Sequence, residues 1–293
     1  MALLLVLPAC GRAPADPGED EPPSGALCEV SEGGPAQPVN DPAGPYYHTV
    51  VAAWTTDGRA LTGTQPVLEH ASVPDGVRLA DGTVLVYYVN GAQGYVWIAR
   101  LEGAAAVPLG PLRLNGTDRA RGVVDPDAWR MPDGAIRLAY LSGFGSPGTS
   151  APRAICIAES RDGLRFTVVA TALSIAPGEQ LTDPSVVQLA DGTWRMAISL
   201  GQQTVLARST DGLRFSRTGT LSYGGVPELA IAPDGALRLY VCSAGIVSWR
   251  SSDGGASWTQ EGVVVPPGPA GQRIVCDPSL VAGAGRFLYK TAP

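Results

Sequence analysis

Four Asp-Gly pairs, beginning at Asp81, Asp133, Asp191 and Asp234, recur in one setting and constrain this fold more than any other feature. Each lies between two short apolar runs, and the runs that follow read TVLVYYV, AIRLAYL, TWRMAIS and ALRLYVC. Asp-Gly between β-type runs is a strong hairpin signal, because both turn positions favour positive φ. Eight residues upstream of each pair stand VPD at Val73, DPD at Asp125, DPS at Asp183 and VPE at Val226. A fifth copy, DPS at Asp277, precedes LVAGAGRFLYK, where Ala284-Gly285 replaces the Asp-Gly turn. A fixed period of roughly 50 residues built from short strands is the mark of a radial array of sheets.

Each hairpin is followed by a third strand, a second Asp-Gly turn and a fourth strand: AICIAES-RDG-LRFTVVA, TVLARS-TDG-LRFSRTG and IVSWRS-SDG-GASWTQEG. The fifth unit stops after two strands, at Pro293, and its missing half stands at the other end of the chain as TVVAAWT-TDG-RALTGTQPVL from Thr49. These units predict an all-β chain forming a single five-bladed β-propeller over residues 46–293, its ring closed by N-terminal strands completing the C-terminal blade. The phrase S-x-D-G-x-x-[FW] resembles the Asp-box (BNR repeat) of sialidases and other propellers. Its expected role is structural: the carboxylate accepts backbone N–H groups, glycine takes the positive φ and the aromatic packs between sheets.

Residues 1–10, MALLLVLPAC, resemble a bacterial lipoprotein signal, which implies cleavage and lipidation of Cys10. Eight apolar residues are too few to span a bilayer. Residues 11–45 are rich in Pro, Gly and acidic residues and read as a disordered tether. The chain is therefore expected to be exported and membrane-anchored, in the periplasm or at the cell surface, and to act as a monomer. Export would make Cys28, Cys156, Cys242 and Cys276 available for disulfides, with Cys242–Cys276 favoured because both lie on one face of adjacent blades. A net charge of −6 supplies no phosphate-binding face, so nucleic acid is not an expected partner. Two histidines in 293 residues make a histidine-rich metal site improbable. No cofactor is expected beyond a structural calcium ion that so acidic a funnel could hold.

Chemistry is expected where the innermost strands start. The first motif position carries Val73, Asp125, Asp183, Val226 and Asp277, and two residues on stand Asp75, Asp127, Ser185, Glu228 and Ser279. Residues two apart share a strand face, so six carboxylates should crowd one mouth and perturb one another's pKa values. Five blades, Asp-Pro at inner-strand starts and a later glutamate resemble the arabinanase and β-xylosidase propellers of glycoside hydrolase family 43. That resemblance implies inverting hydrolysis of a glycan or oligosaccharide by an Asp base, a second Asp that tunes and orients, and a Glu general acid. It places Asp183 at the middle Asp. Val73 and Val226 stand where the base and acid belong, which leaves Asp75 or Asp125 for the base and Glu228 for the acid. Inverting chemistry needs two carboxyls about 6.5–9.5 Å apart. Substrate contacts are expected from Asp127, Asp277, Trp129, Tyr223, Phe144 in the long loop 142–153, and Arg273. The alternatives are a non-catalytic carbohydrate-binding or scaffolding propeller, in which repeated Asp-Pro caps backbone N–H groups, and a sialidase-like exo-glycosidase.

Overall fold

In the computed structural model, which describes residues 26–39, 41, 43–145, 153–268 and 274–293, the five units form five antiparallel sheets. Their innermost strands contact one another in a closed ring. From the centre outward, blade one is built from Ala71–Arg78, Val84–Asn90, Tyr95–Glu102 and Ala105–Pro111. Blades two to four repeat this order from Val124, Leu181 and Glu228, and Arg113–Leu114 adds a short parallel edge to blade two. In blade five, Ile274–Val281 and Arg286–Ala292 pair with each other, and Thr49–Trp54 and Thr62–Glu69 continue the sheet outward. Chain closure is thus a run of antiparallel hydrogen bonds, Thr49 opposite Thr291 through Trp54 opposite Arg286.

Period-two alternation sends each strand's apolar residues to two different seams. In the second strand of blade one, Leu85, Tyr87 and Val89 face blade two, and Val84, Val86 and Tyr88 face blade five. Five apolar clusters result, one for each seam. The Ser-x-Asp-Gly turns are stapled across these seams. In blade two, the Asp162 carboxylate accepts the N–H groups of Leu164 and Arg165, both at 2.8 Å, while Ser160 Oγ accepts that of Gly163. The preceding blade grips the turn: the Tyr87 hydroxyl donates to the Gly163 carbonyl at 2.9 Å, and Phe166 meets the Tyr87 ring edge-on. Arg195 does the same for Gly254, and Arg238 for Asp57.

Residues from 26 onward, assigned above to a tether ending at 45, lie against the propeller. Cys28 is buried and bonded to Cys156 in blade two. Glu32 bridges to Ala120, and the N–H of Val39 donates to the Gly91 carbonyl. Leu27 and Val30 pack against the core between blades one and two, but apolar residues are too few and too irregularly spaced in this stretch for periodicity to reveal it. The favoured Cys242–Cys276 disulfide is formed, with Cα atoms 5.2 Å apart. Cys10 and Arg273 lie outside the described residues.

Candidate functional site

Every one of the five motif starts adopts left-handed backbone: Val73, Asp125, Asp183, Val226 and Asp277 have φ between 46° and 54°. Such a conformation is uncommon for any non-glycine residue and strained for valine. It creates a bulge, seen as a slip in strand pairing between Ser72 and Asp75, Val124 and Asp127, Thr182 and Ser185, and Cys276 and Ser279. The bulge cancels the alternation that would put first and third positions on one face. The six carboxylates do not form one crowd at the mouth; they divide into two tiers.

The inner tier is a ring of third-position side chains, and each accepts a backbone N–H from the next blade. Asp75 takes that of Ala128 at 2.6 Å, Asp127 that of Val186 at 2.9 Å and Ser185 that of Leu229 at 2.9 Å. Glu228 takes that of Leu280 at 3.1 Å, and Ser279 closes the circle with Gly76 at 3.2 Å. The Ser279 and Ser185 hydroxyls donate to the remaining oxygens of Asp75 and Glu228. One oxygen from each of Asp75, Asp127 and Glu228 lies within 4.8 Å of the others. Burial lifts the Asp75 carboxyl to about 6. Burial, and then the neighbouring carboxylates, raise Asp127 and Glu228 well above the usual range. These three residues could ligate the calcium ion expected from the sequence. Their separation is shorter than inverting hydrolysis requires.

The outer tier holds Asp125, Asp183 and Asp277. Asp125 accepts the Asp183 N–H at 3.2 Å, and Asp277 accepts the Val73 N–H at 3.0 Å while pairing with Lys290 at 2.7 Å. Asp183 is half-buried, and its carboxylate caps no neighbouring strand start; the Val226 N–H goes instead to Ser199 Oγ. Burial lifts Asp125 to about 6, and burial followed by Asp125 and Asp277 raises Asp183 well above 3.8. Burial alone would lower Lys290, but Asp277 keeps its ammonium charged. Between the two tiers only about 30 Å³ is free, room for a water or two. A larger cavity, about 330 Å³, opens from the other end of the inner strands.

The remaining candidates are dispersed. Phe144 is exposed, and its N–H donates to Gly122 beside the start of blade two. Trp129, expected at the first mouth, lines the cavity at the opposite end with Trp194, because it is the sixth residue of a strand whose start forms the mouth. Tyr223 is stacked on Trp249 at 3.8 Å and belongs to a seam cluster. Lys290 and Arg153 escaped the sequence reading. Arg153 donates to the Leu181 carbonyl at 2.9 Å and acts electrostatically on Asp125. The signal for Lys290 was a charge in the middle of the strand RFLYKTA, which also opens on Arg286.

No protein-family sequence model and no curated protein sequence matches the chain. Its backbone resembles several solved structures. A protein of unknown function from Dyadobacter fermentans is 17% identical, with TM-score 0.55 over 86% of this chain and 84% of its own. Zg3597, a family 117 glycoside hydrolase from Zobellia galactanivorans, is 11% identical, with TM-score 0.54 over 90% and 89%. An α-L-arabinofuranosidase from Clostridium thermocellum is 14% identical, with TM-score 0.55 over 73% and 80%. The likeness is one of fold: this chain has the five-bladed architecture of glycoside hydrolase propellers.

Proposed function

We propose that this propeller binds a glycan at the mouth formed by the inner-strand starts and does not hydrolyse it. The observation that carries this reading is the fate of Asp75 and Glu228. Glu228, the one substitute for the acid, and Asp75, one of two for the base, are turned inward and hold backbone N–H groups of adjacent blades. The other substitute for the base, Asp125, holds the Asp183 N–H, while Val73 and Val226 occupy the places where the resemblance puts those groups. A sugar resting on the mouth would meet Asp125 and Asp183 as hydroxyl acceptors and the exposed Phe144 ring as an apolar platform. The 30 Å³ throat is too small to enclose a sugar, which suits surface binding better than a desolvated reaction site. The arabinanase from Cellvibrio cellulosa, a fold neighbour at TM-score 0.53, was solved with arabinohexaose, which supports a pentose-containing polymer as first ligand to try. Two disulfides support an oxidising, exported location, and lipid attachment at Cys10 rests on the signal-like run MALLLVLPAC.

The test is affinity electrophoresis and reducing-sugar release on arabinan, xylan and fructan. Retardation without sugar release is expected, and Phe144→Ala should weaken binding roughly fivefold, the loss of about 1 kcal/mol of aromatic contact. The second reading is hydrolysis by Asp125 and Asp183, favoured by their raised pKa values. Sugar release that disappears in Asp125→Asn or Asp183→Asn would establish it and overturn ours.

A further inference from the structure

The cavity at the far end of the funnel is unrelated to the glycan-facing mouth and has a different chemistry. Its closed end is formed by Asp75, Asp127 and Glu228, and its walls by Val77, Trp129, Val187, Leu229, Ile231 and Leu280. At about 330 Å³ it falls in the range of small-molecule sites. Among the described residues, no lysine, arginine or histidine forms an ion pair with any of the three carboxyls. Lys290 is directed at the outer tier, where it holds Asp277.

We propose that this cavity binds a small organic cation, a primary ammonium carried on a compact apolar body. An ammonium donates along three tetrahedral directions; with N–H···O distances near 2.8 Å its acceptors stand ~4.6 Å apart. The three carboxylate oxygens lie within 4.8 Å of one another, one for each donor. Each carboxylate oxygen keeps a free lone-pair direction after taking its inter-blade N–H or serine hydroxyl. Aliphatic and indole walls above this floor suit a hydrocarbon body, with the Trp129 ring available for a cation–π or stacking contact. A calcium ion on the same three carboxylates would have to complete its shell largely with water, because the apolar side chains above them offer it no ligand. Burial, and then the neighbouring carboxylates, push the Asp127 and Glu228 carboxyls upward, and an arriving cation would favour their ionised forms. Arg78 and Arg130 line the open rim and are exposed. Each lies three residues from the floor, roughly 10 Å along the strand, about one Debye length at 0.1 M salt, so their repulsion is screened.

The experiment is calorimetric titration of the propeller at pH 7.5 with benzylammonium, its neutral isostere benzyl alcohol, and calcium chloride. Benzylammonium should bind at least about tenfold more tightly than the alcohol, one charge-assisted hydrogen bond's worth of preference. Asp127→Asn keeps an oxygen for the Val186 N–H and should abolish that preference. Ala282→Trp, at the exposed rim, should block the entrance and weaken binding at least tenfold while leaving the thermal midpoint unchanged. Equal binding of amine and alcohol, or benzylammonium binding unaffected by Ala282→Trp, would overturn the proposal. So would absence of benzylammonium binding, or calcium binding that displaces the amine, since the floor would then be a metal site. None of these outcomes bears on glycan binding at the first mouth.

Discussion

Replacing Asp75 by asparagine isolates the cost of packing carboxyls into the inner ring. Asp75 is 5% exposed, and burial raises its carboxyl from 3.8 to about 6, opposed by hydrogen bonds from Ser279 and Ala128. A folded-state pKa above the unfolded value means that the fold binds the proton more tightly. The contribution is complete below pH 4 and is lost as pH rises through 6. Two pKa units correspond to about 3 kcal/mol, of which about 2 kcal/mol disappears between pH 4.5 and 7.5. Asparagine cannot ionise, yet its carbonyl can still accept the Ala128 N–H. Asp75→Asn should therefore lose about 2 kcal/mol less than the wild type over that range, a relative gain of roughly 4–8 °C in thermal midpoint. Urea unfolding followed by tryptophan fluorescence, in EDTA at both pH values, measures the difference. A gap between the two proteins that does not change with pH would refute the argument that burial raises the Asp75 carboxyl.

Two further outcomes follow from the scaffold. Removing the Cys28–Cys156 link with paired alanines should cost up to about 5 kcal/mol by the chain-entropy rule for a 128-residue loop. Residues 26–39 should then become protease-sensitive before the ring unfolds, and continued protection of that segment would show that its backbone hydrogen bonds suffice. Asp211→Ala should cost about 1 kcal/mol, the scale of a lost cap, because the N–H groups of Leu213 and Arg214 lose their acceptor. Glycan binding should not change; an unaltered urea midpoint would show that the turn closes without its carboxylate.

The number of blades, their strands and the way the ring closes were legible in the sequence because turns are local. Asp-Gly, Ser-x-Asp-Gly and alternating apolar residues act over fewer than ten positions, and split halves at Thr49 and Pro293 leave one way to complete a blade. The Cys242–Cys276 link was legible for the same reason, once blade order was known.

Side-chain destinations at the funnel depended on what adjacent blades offered. The motif showed that Asp125 and Asp127, or Val226 and Glu228, are two residues apart, and a regular strand would aim each pair together. Left-handed backbone at the first position breaks that rule, and a residue followed by proline carries no letter that announces it. Whether a carboxylate caps a neighbouring N–H or faces solvent is then settled between residues 43 to 204 positions apart, such as Ser185 with Glu228 and Ser279 with Asp75. The path of residues 26–39 was equally hidden, since a disulfide and a few backbone hydrogen bonds hold it without any hydrophobic period. Local chemistry determined the propeller; contacts across its seams decided which acids hold the fold and which remain at the mouth.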